Sequence, residues 1–124
     1  MHQPDILLIE DENFLIKPLQ FAFEKRGAMV RIAKDGDQGI FMARRHAPDL
    51  ILLDLLLPKM SGFEVLKEMK RDPSTACIPV LILSNLAREE HVARSLAAGA
   101  EGYIVKSNAS IDSIVKCALA MIHK

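Results

Sequence analysis

Five polar side chains directly follow short aliphatic runs of the sequence: Glu10 and Asp11 after DILLI, Asp54 after LILL, Ser84 after VLIL and Lys106 after GYIV. If these runs are strands of one parallel sheet, the five side chains meet where the carboxyl ends of the strands lie together. Two carboxylates about 4 Å apart repel by roughly 4 kcal/mol at an effective dielectric near 20, so such a cluster needs a cation. Carboxylate, carbonyl and water oxygens suit Mg²⁺, which also bridges to phosphate oxygens. The residues therefore indicate an acidic pocket that binds a divalent metal ion.

Asp54 interrupts the aliphatic run LILLDLLLP at residues 50–58. An unpaired charge buried in an apolar interior is strongly unfavourable, so this carboxylate must reach solvent or meet a compensating cation. A single polar residue at the end of a strand is usually a solvated loop residue, and we keep that interpretation for Glu12 and Asp49. Five chemically compatible groups at four strand ends instead favour a functional site.

The elements that must position these groups can be read from the hydrophobic pattern. Short aliphatic runs predict five strands, at 5–9, 29–33, 50–53, 80–83 and 102–105. Amphipathic segments between them predict helices, including 37–46, 62–70 and 88–98, with others around Leu15–Phe23 and Ile111–Ile122. Gly27 and Gly99 are placed to close helices in the left-handed conformation, and Ser110 to cap the last one.

Strict alternation of strands and helices predicts an α/β fold with a doubly wound parallel sheet of five strands. We expect the flavodoxin-like strand order 2-1-3-4-5, with helices on both faces. In this order the winding direction reverses between the first and third strands, and ligands bind there, beyond the carboxyl ends of the strands. Pro18 is expected near the first turns of its helix, because a proline in a helix interior removes a hydrogen bond.

Composition limits the function to small local sites. The chain has 124 residues, half of them hydrophobic, which predicts one domain over residues 1–124. Lysine plus arginine and aspartate plus glutamate number 16 each, so no net positive field would attract nucleic acid or acidic lipid. The sequence lacks a run of about 20 apolar residues and a basic leader, which favours a cytoplasmic protein without a membrane segment.

Two residue types that often form sites carry no such pattern here. The cysteines, Cys77 and Cys117, show no CxxC spacing and are interpreted as reduced thiols used as small apolar residues. The histidines share no ligand spacing, so we expect no metal site built from His2, His46, His91 and His123.

Four segments resemble the receiver domain of bacterial two-component response regulators: ILLIEDE, LILLDLLLPKMSG, LILSN and GAEGYIVK. The connecting segments, including EKRGAMV and APDL, are similar as well, so the resemblance extends over nearly the whole chain. It implies that Asp54 accepts a phosphoryl group from a partner histidine kinase or phosphotransfer protein. Mg²⁺ would be held by Asp11, Asp54 and the backbone carbonyl of Leu56, with Glu10 acting through water.

The resemblance also implies a switch. Lys106 would pair with one phosphoryl oxygen while Ser84 moves to hydrogen-bond another, and Tyr103 would rotate inward with it. The surface formed by the fourth helix, fifth strand and fifth helix would then change, and a downstream protein target or an output domain outside this sequence would detect the change. An ordinary half-buried role for Tyr103 stays open.

The sequence departs from the family pattern at several positions. Glu10 stands where aspartate is commoner, and Ser107 follows the lysine where proline is usual. Asn85 stands beside the hydroxyl residue, where the family usually has a small residue; its amide would either crowd the pocket or offer the phosphoryl group a hydrogen bond. Leu56 and Leu86 flank the path of hydrolytic water, which they can neither orient nor polarise, and this predicts a long-lived phosphoaspartate.

Two other functions fit the residues less well than a signalling switch without substrate turnover. A phosphohydrolase with an aspartyl nucleophile usually has a DxD motif, whereas Asp54 is followed by Leu55 and Leu56, so the general acid is missing. A flavin-binding module is less favoured, because the first loop, EDEN, is acidic and lacks phosphate-cradling glycines. A stand-alone regulator, a relay intermediate and a receiver from a longer protein all stay open.

Overall fold

The computed structural model describes residues 2–122. Outside this range lie the two ends of the predicted domain, Met1 and Lys124, and also His123, one of the four histidines considered as metal ligands. The strands are β1 (Asp5–Ile9), β2 (Met29–Ala33), β3 (Leu50–Leu53), β4 (Val80–Ser84) and β5 (Gly102–Val105). The helices are α1 (Asn13–Lys25), α2 (Gly36–His46), α3 (Gly62–Arg71), α4 (Glu89–Ala97) and α5 (Ile111–Ile122), with a short 3₁₀ helix at Lys106–Asn108.

The five strands form one parallel sheet in the order β2-β1-β3-β4-β5. This confirms the predicted fold class and strand order. Ile9 pairs with Leu53, so the residues that follow these neighbouring strands, Glu10 and Asp54, are brought side by side. Ser84 pairs with Val105 at the other end of the same edge, which leaves Lys106 immediately beyond the sheet.

Both faces of the sheet are covered by helices, which explains why β3 and β4 are buried along their entire lengths. One core cluster joins β-strand side chains to α2 and α3, through residues such as Ile40, Val65 and Leu66. The other joins the opposite face to α1 and α5, through residues such as Leu19, Phe23 and Val115.

Capping residues and glycines mark the helix ends, which lie within two residues of the predicted bounds. α2 begins at Gly36, one residue earlier than predicted, because Asp35 caps it by accepting a hydrogen bond from the Gln38 N–H at 2.8 Å. Ser110 caps α5 through the Ser113 N–H at 3.0 Å. Gly27 and Gly99 have φ angles of +86° and +109°, as their positions after α1 and α4 require.

Four details differ from the expectations or sharpen them. Ser84 is the last residue of β4 and does not follow the strand, and α4 is one residue shorter at each end than predicted. Pro18 lies within α1, five residues after its first residue. Cys77 and Cys117 are free thiols but both are exposed, so they do not fill the core.

None of the helices in residues 2–122 has the length and apolar character needed to span a membrane.

Candidate functional site

The predicted polar side chains converge at the carboxyl edge of the sheet. A cleft of about 260 Å³ opens there, lined by Asp11, Glu12, Asp54, Leu56, Asn85 and Lys106. Glu10 and Ser84 adjoin this lining and are fully buried. The strand register explains the convergence, since these residues end or follow strands that are adjacent in the sheet.

Asp54 lies at the bottom of this cleft with only 3% of its surface exposed. Its Oδ1 accepts a hydrogen bond from the Leu56 N–H at 3.1 Å, and its Oδ2 accepts one from Lys106 Nζ at 2.8 Å. Its own N–H donates to the Ile9 carbonyl oxygen at 3.1 Å, which continues the pairing of β1 and β3. The charge within the aliphatic run is therefore buried and paired.

Lys106 is the cation that compensates the acidic cluster. Its Nζ lies 2.7 Å from Glu10 Oε1, 2.8 Å from Glu12 Oε1 and 2.8 Å from Asp54 Oδ2. The lysine side chain is 9% exposed, and those of Glu10 and Asp54 are 1% and 4% exposed. At such burial the electrostatic interactions are much stronger than at the surface.

The pKa values of these groups reflect burial and charge together. Burial raises the pKa of the Glu10 carboxyl to about 7; the Asp54 charge adds to this rise, whereas contacts with Lys106 and the Glu12 N–H oppose it. Burial alone would lower the pKa of Lys106, but its contacts with Asp54, Glu10 and Glu12 raise the pKa above its usual value. The lysine is therefore charged at neutral pH, while Glu10 titrates there.

Three carboxylates are positioned to share a metal ion. Oxygens of Glu10, Glu12 and Asp54 lie within 4.8 Å of one another. Glu10 Oε1 is buried, and the Lys106 ammonium lies 2.7 Å from it. A group of hard oxygen donors gathered at an open cleft fits a divalent cation such as Mg²⁺.

Glu12 is a site residue that sequence reasoning missed, because it was interpreted as a solvated loop residue. Its carboxylate contacts Lys106 and belongs to the group of three. The available signal was its spacing of two residues from Glu10, just beyond a strand, where alternate side chains face the same side. Asp11, the predicted metal ligand, is exposed and lines the same cleft but is not one of the three.

The start of α3 is packed against the backbone of Asp54. The Gly62 N–H donates to the Leu55 carbonyl oxygen at 2.9 Å. A Cβ atom at Gly62 would lie 2.3 Å from the Asp54 carbonyl oxygen and 2.5 Å from Leu55 Cα. Because both neighbours are backbone atoms, only glycine allows this approach. Ser61 caps α3 from the adjacent position, through the Glu64 N–H at 3.3 Å.

The predicted switch residues are linked through the loop that follows β4. Ser84 Oγ accepts a hydrogen bond from the Leu86 N–H at 3.3 Å, and the Tyr103 hydroxyl donates to the Leu86 carbonyl oxygen. Tyr103 is partly buried against the α2 and α3 core cluster. Burial and the Asp54 charge raise the pKa of its hydroxyl, and the Ser84 contact opposes this, so the hydroxyl is protonated and donates at neutral pH.

A second link joins the same loop to the one after β5. Asn85 Oδ1 accepts a hydrogen bond from the Ser107 N–H at 2.9 Å. Proline, the usual family residue at position 107, has no N–H and could not make this bond. Leu56, one of the two predicted water-flanking residues, has 57% of its surface exposed, while Leu86 packs against the core.

Comparison with known proteins identifies the family. The chain matches the response regulator receiver domain over residues 6–117. It is 39% identical over 103 residues to the DNA-binding dual master transcriptional regulator RpaA of Synechocystis, which covers 83% of this chain and 43% of RpaA. The chain therefore belongs to the family of response regulator receiver domains, as the sequence motifs predicted.

Solved structures agree. The phosphorylated cyanobacterial phytochrome response regulator RcpA has a TM-score of 0.81 and 33% identity, covering 97% of this chain and 91% of that one. The Mn²⁺-bound form of the response regulator Rcp1 also has a TM-score of 0.81, with 30% identity, covering 95% of this chain and 91% of that one.

Membership makes this chain a homologue of phosphorylation-dependent signalling proteins, and the phosphohydrolase alternative is not favoured. Receiver domains of this family work with histidine kinases. The chain spans less than half the length of RpaA, which is a DNA-binding transcriptional regulator.

Proposed function

We propose that this chain is a phosphorylation-dependent switch in which Asp54 accepts a phosphoryl group from a partner histidine kinase or phosphotransfer protein. The observation that carries the proposal is the position of the Asp54 carboxylate, which is buried beneath an open cleft and held by Lys106 and the Leu56 N–H. A carboxylate held in this way is oriented for in-line attack on an incoming phosphorus atom.

The transfer forms a bond between an Asp54 carboxylate oxygen and phosphorus and breaks the bond from phosphorus to the donor nitrogen. Lys106 then exchanges its contact with the free carboxylate for one with a phosphoryl oxygen, which it neutralises. The Ser84 hydroxyl donates a hydrogen bond to a second phosphoryl oxygen. The 2.8 Å contact between Lys106 Nζ and Asp54 Oδ2 supports these proposed roles.

We assign Mg²⁺ as the cofactor. Asp11, Asp54 and the Leu56 carbonyl would hold it, with Glu10 acting through water, and the group of three carboxylates adds Glu12 as a further candidate. When bound, the metal neutralises charge on the phosphoryl oxygens. The chemistry of the donor set supports this assignment, as does the Mn²⁺ bound by the relative Rcp1.

The output would depend on the link between Ser84, Leu86 and Tyr103. Movement of Ser84 towards a phosphoryl group would disturb its bond with the Leu86 N–H, and the Tyr103 hydroxyl is bonded to the carbonyl of the same residue. α4, which follows this loop and lies within the described residues, buries only Ser95. A helix so lightly anchored can shift at small cost, so partners can distinguish the two states.

The remaining features of the proposal follow from this role. The chain acts as one receiver unit over residues 1–124, in the cytoplasm, and turns over no external substrate. It is read by a downstream protein or by an output domain outside this sequence, and it contacts neither nucleic acid nor membrane directly. The balance of 16 basic and 16 acidic residues supports the last point.

Intact-mass measurement after incubation with Mg²⁺ and acetyl phosphate tests this proposal. We expect one added phosphoryl group per chain, lost in Asp54→Asn and in samples treated with a chelator. The matched control is Asp37→Asn, an exposed aspartate on α2 that should be phosphorylated normally. A chain that gains no phosphoryl group, or gains it in Asp54→Asn, would contradict the proposal, and steady release of phosphate would favour the phosphohydrolase.

A further inference from the structure

Asn85 joins the two loops that carry the proposed phosphoryl-binding residues. It directly follows Ser84, and its hydrogen-bond donor, Ser107, directly follows Lys106. The distance from Ser107 N to Asn85 Oδ1 is 2.9 Å, although the two residues are 22 positions apart in the chain. The bond therefore fixes the Asn85 carboxamide relative to both loops.

This bond also determines which way the carboxamide faces. Only the oxygen of an asparagine amide can accept from a backbone N–H, so Oδ1 is assigned to the side of Ser107 and Nδ2 to the other side. Within residues 2–122 the bond from Ser107 is the one hydrogen bond of the Asn85 side chain. Nδ2 therefore donates to no protein acceptor there. Asn85 lines the cleft together with Asp54.

Apart from Asn85, the side chains that line the cleft lack a free hydrogen-bond donor, and the buried Ser84 hydroxyl beside them is already assigned to one phosphoryl oxygen. Asp11, Glu12 and Asp54 are carboxylates, which only accept hydrogen bonds when ionised, and Leu56 is apolar. Among the lining residues Lys106 is the other donor, and its ammonium already contacts three carboxylates. A phosphoryl group that enters this acidic cleft brings further negative oxygens, which need donors with no competing partner.

We propose that Asn85 is a phosphoryl-binding residue: the Ser107 N–H holds its Oδ1, and its Nδ2 donates a hydrogen bond to the phosphoryl group on Asp54. This inference rests on the proposed function and adds one residue to those that would bind the phosphoryl group. It also gives positions 85 and 107 a joint role, because proline at 107 would leave the carboxamide without its orienting donor.

Titration with beryllium trifluoride, a stable mimic of the phosphoryl group, tests the proposal in the presence of saturating Mg²⁺. We expect Asn85→Ala to weaken the binding of the mimic by about tenfold, as loss of one hydrogen bond to a charged group would. The affinity for Mg²⁺ alone should stay unchanged. The matched control is Asn108→Ala, an exposed asparagine in the same 3₁₀ helix as Ser107 that does not line the cleft.

A nitrogen-15 NMR spectrum separates a direct ligand from a residue that only braces the loops. A direct ligand requires the Asn85 side-chain NH₂ resonances to shift when the mimic binds. Equal affinities of wild type and Asn85→Ala for the mimic, or NH₂ resonances that do not move, would overturn the inference. An equal loss of Mg²⁺ affinity would also overturn it. If the wild-type chain binds no mimic at all, the proposed function itself fails, which is a distinct result.

Discussion

The Lys106 ammonium lies 2.8 Å from Asp54 Oδ2, with the lysine side chain 9% exposed and the aspartate side chain 4% exposed. The same ammonium contacts Glu10 and Glu12, the other two members of the group that could hold a metal ion. Lysine and a divalent cation would therefore neutralise the same three carboxylates. It follows that a bound metal ion and Lys106 would each reduce the negative charge that the other has to neutralise.

Replacement of Lys106 by methionine should destabilise the metal-free protein by about 3 kcal/mol, because it leaves buried carboxylates without a cation. Mg²⁺ should restore more stability to this variant than to the wild type, since it supplies the missing charge. Urea unfolding with Mg²⁺ and with a chelator measures both effects. Lys116→Met is the control, because its 66% exposed side chain pairs only at the surface with Asp112. Equal Mg²⁺ stabilisation of Lys106→Met and the wild type would contradict the shared-charge interpretation.

The stability of the metal-free protein should fall as the pH rises from about 4.5 to about 7. The pKa of Glu10 is about 7 in the folded protein against 4.5 as its ordinary value, so the folded state binds the extra proton throughout this window. When the folded state binds more protons, stability decreases with increasing pH, by an amount on the order of 3 kcal/mol here. The raised pKa of Lys106 adds no slope in this window, because lysine is charged in both states.

Urea midpoints measured at intervals of pH in the presence of a chelator test this expectation. Glu10→Gln should flatten the profile, because the amide does not titrate. Asp35 and Asp72 have lowered pKa values, so their contributions are lost only as the pH falls through the acid range below 3.8. A wild-type profile that rises between pH 4.5 and 7 would show that Glu10 is not the dominant group.

Replacement of Gly62 by alanine should both destabilise the protein and slow phosphorylation of Asp54. The added Cβ would lie 2.3 Å from the Asp54 carbonyl oxygen, so the backbone that carries the nucleophile must shift. Overpacking of this kind costs about 1–3 kcal/mol. Gly27→Ala is the informative contrast: nothing lies within 4 Å of its Cβ, and its φ of +86° costs stability far from the cleft. Thermal unfolding and the rate of phosphorylation by acetyl phosphate should separate the two variants.

Much of this architecture was predictable because the physical signals are local or follow from strand order. The continuous aliphatic runs of β3 and β4 indicated strands covered on both faces. The structure confirms this, since every residue of both strands is buried. The meeting of Glu10, Asp54 and Lys106 at one edge followed from the parallel sheet without any knowledge of side-chain contacts. The identity of the compensating cation was only half predicted: a metal ion was expected, and the structure adds Lys106 as a partner of the same carboxylates.

What the sequence could not supply depends on the path of loops. Glu12 and Asp11 are adjacent in a loop, and composition alone does not tell which of them contacts Lys106. The orientation of the Asn85 carboxamide was also beyond the sequence, because it is set by the N–H of Ser107, 22 residues away. Contacts of this kind arise from the relative height of two loops above the sheet, which hydrophobic periodicity does not encode.

The phosphoaspartate should be long-lived, with a lifetime well beyond seconds, because the residue beside the path of the attacking water is aliphatic. Leu56 has 57% of its surface exposed and lines the cleft with Asp54, so it borders the approach from solvent but offers water no hydrogen bond. Leu56→Asn should shorten the lifetime by roughly tenfold, since an amide can orient water for in-line attack. Decay of the phosphorylated mass after removal of the donor measures this, with Leu96→Asn as a control at an exposed leucine of α4. A wild-type phosphoprotein that decays within seconds would defeat the expectation, because a water-orienting group would then have to come from elsewhere in the cleft.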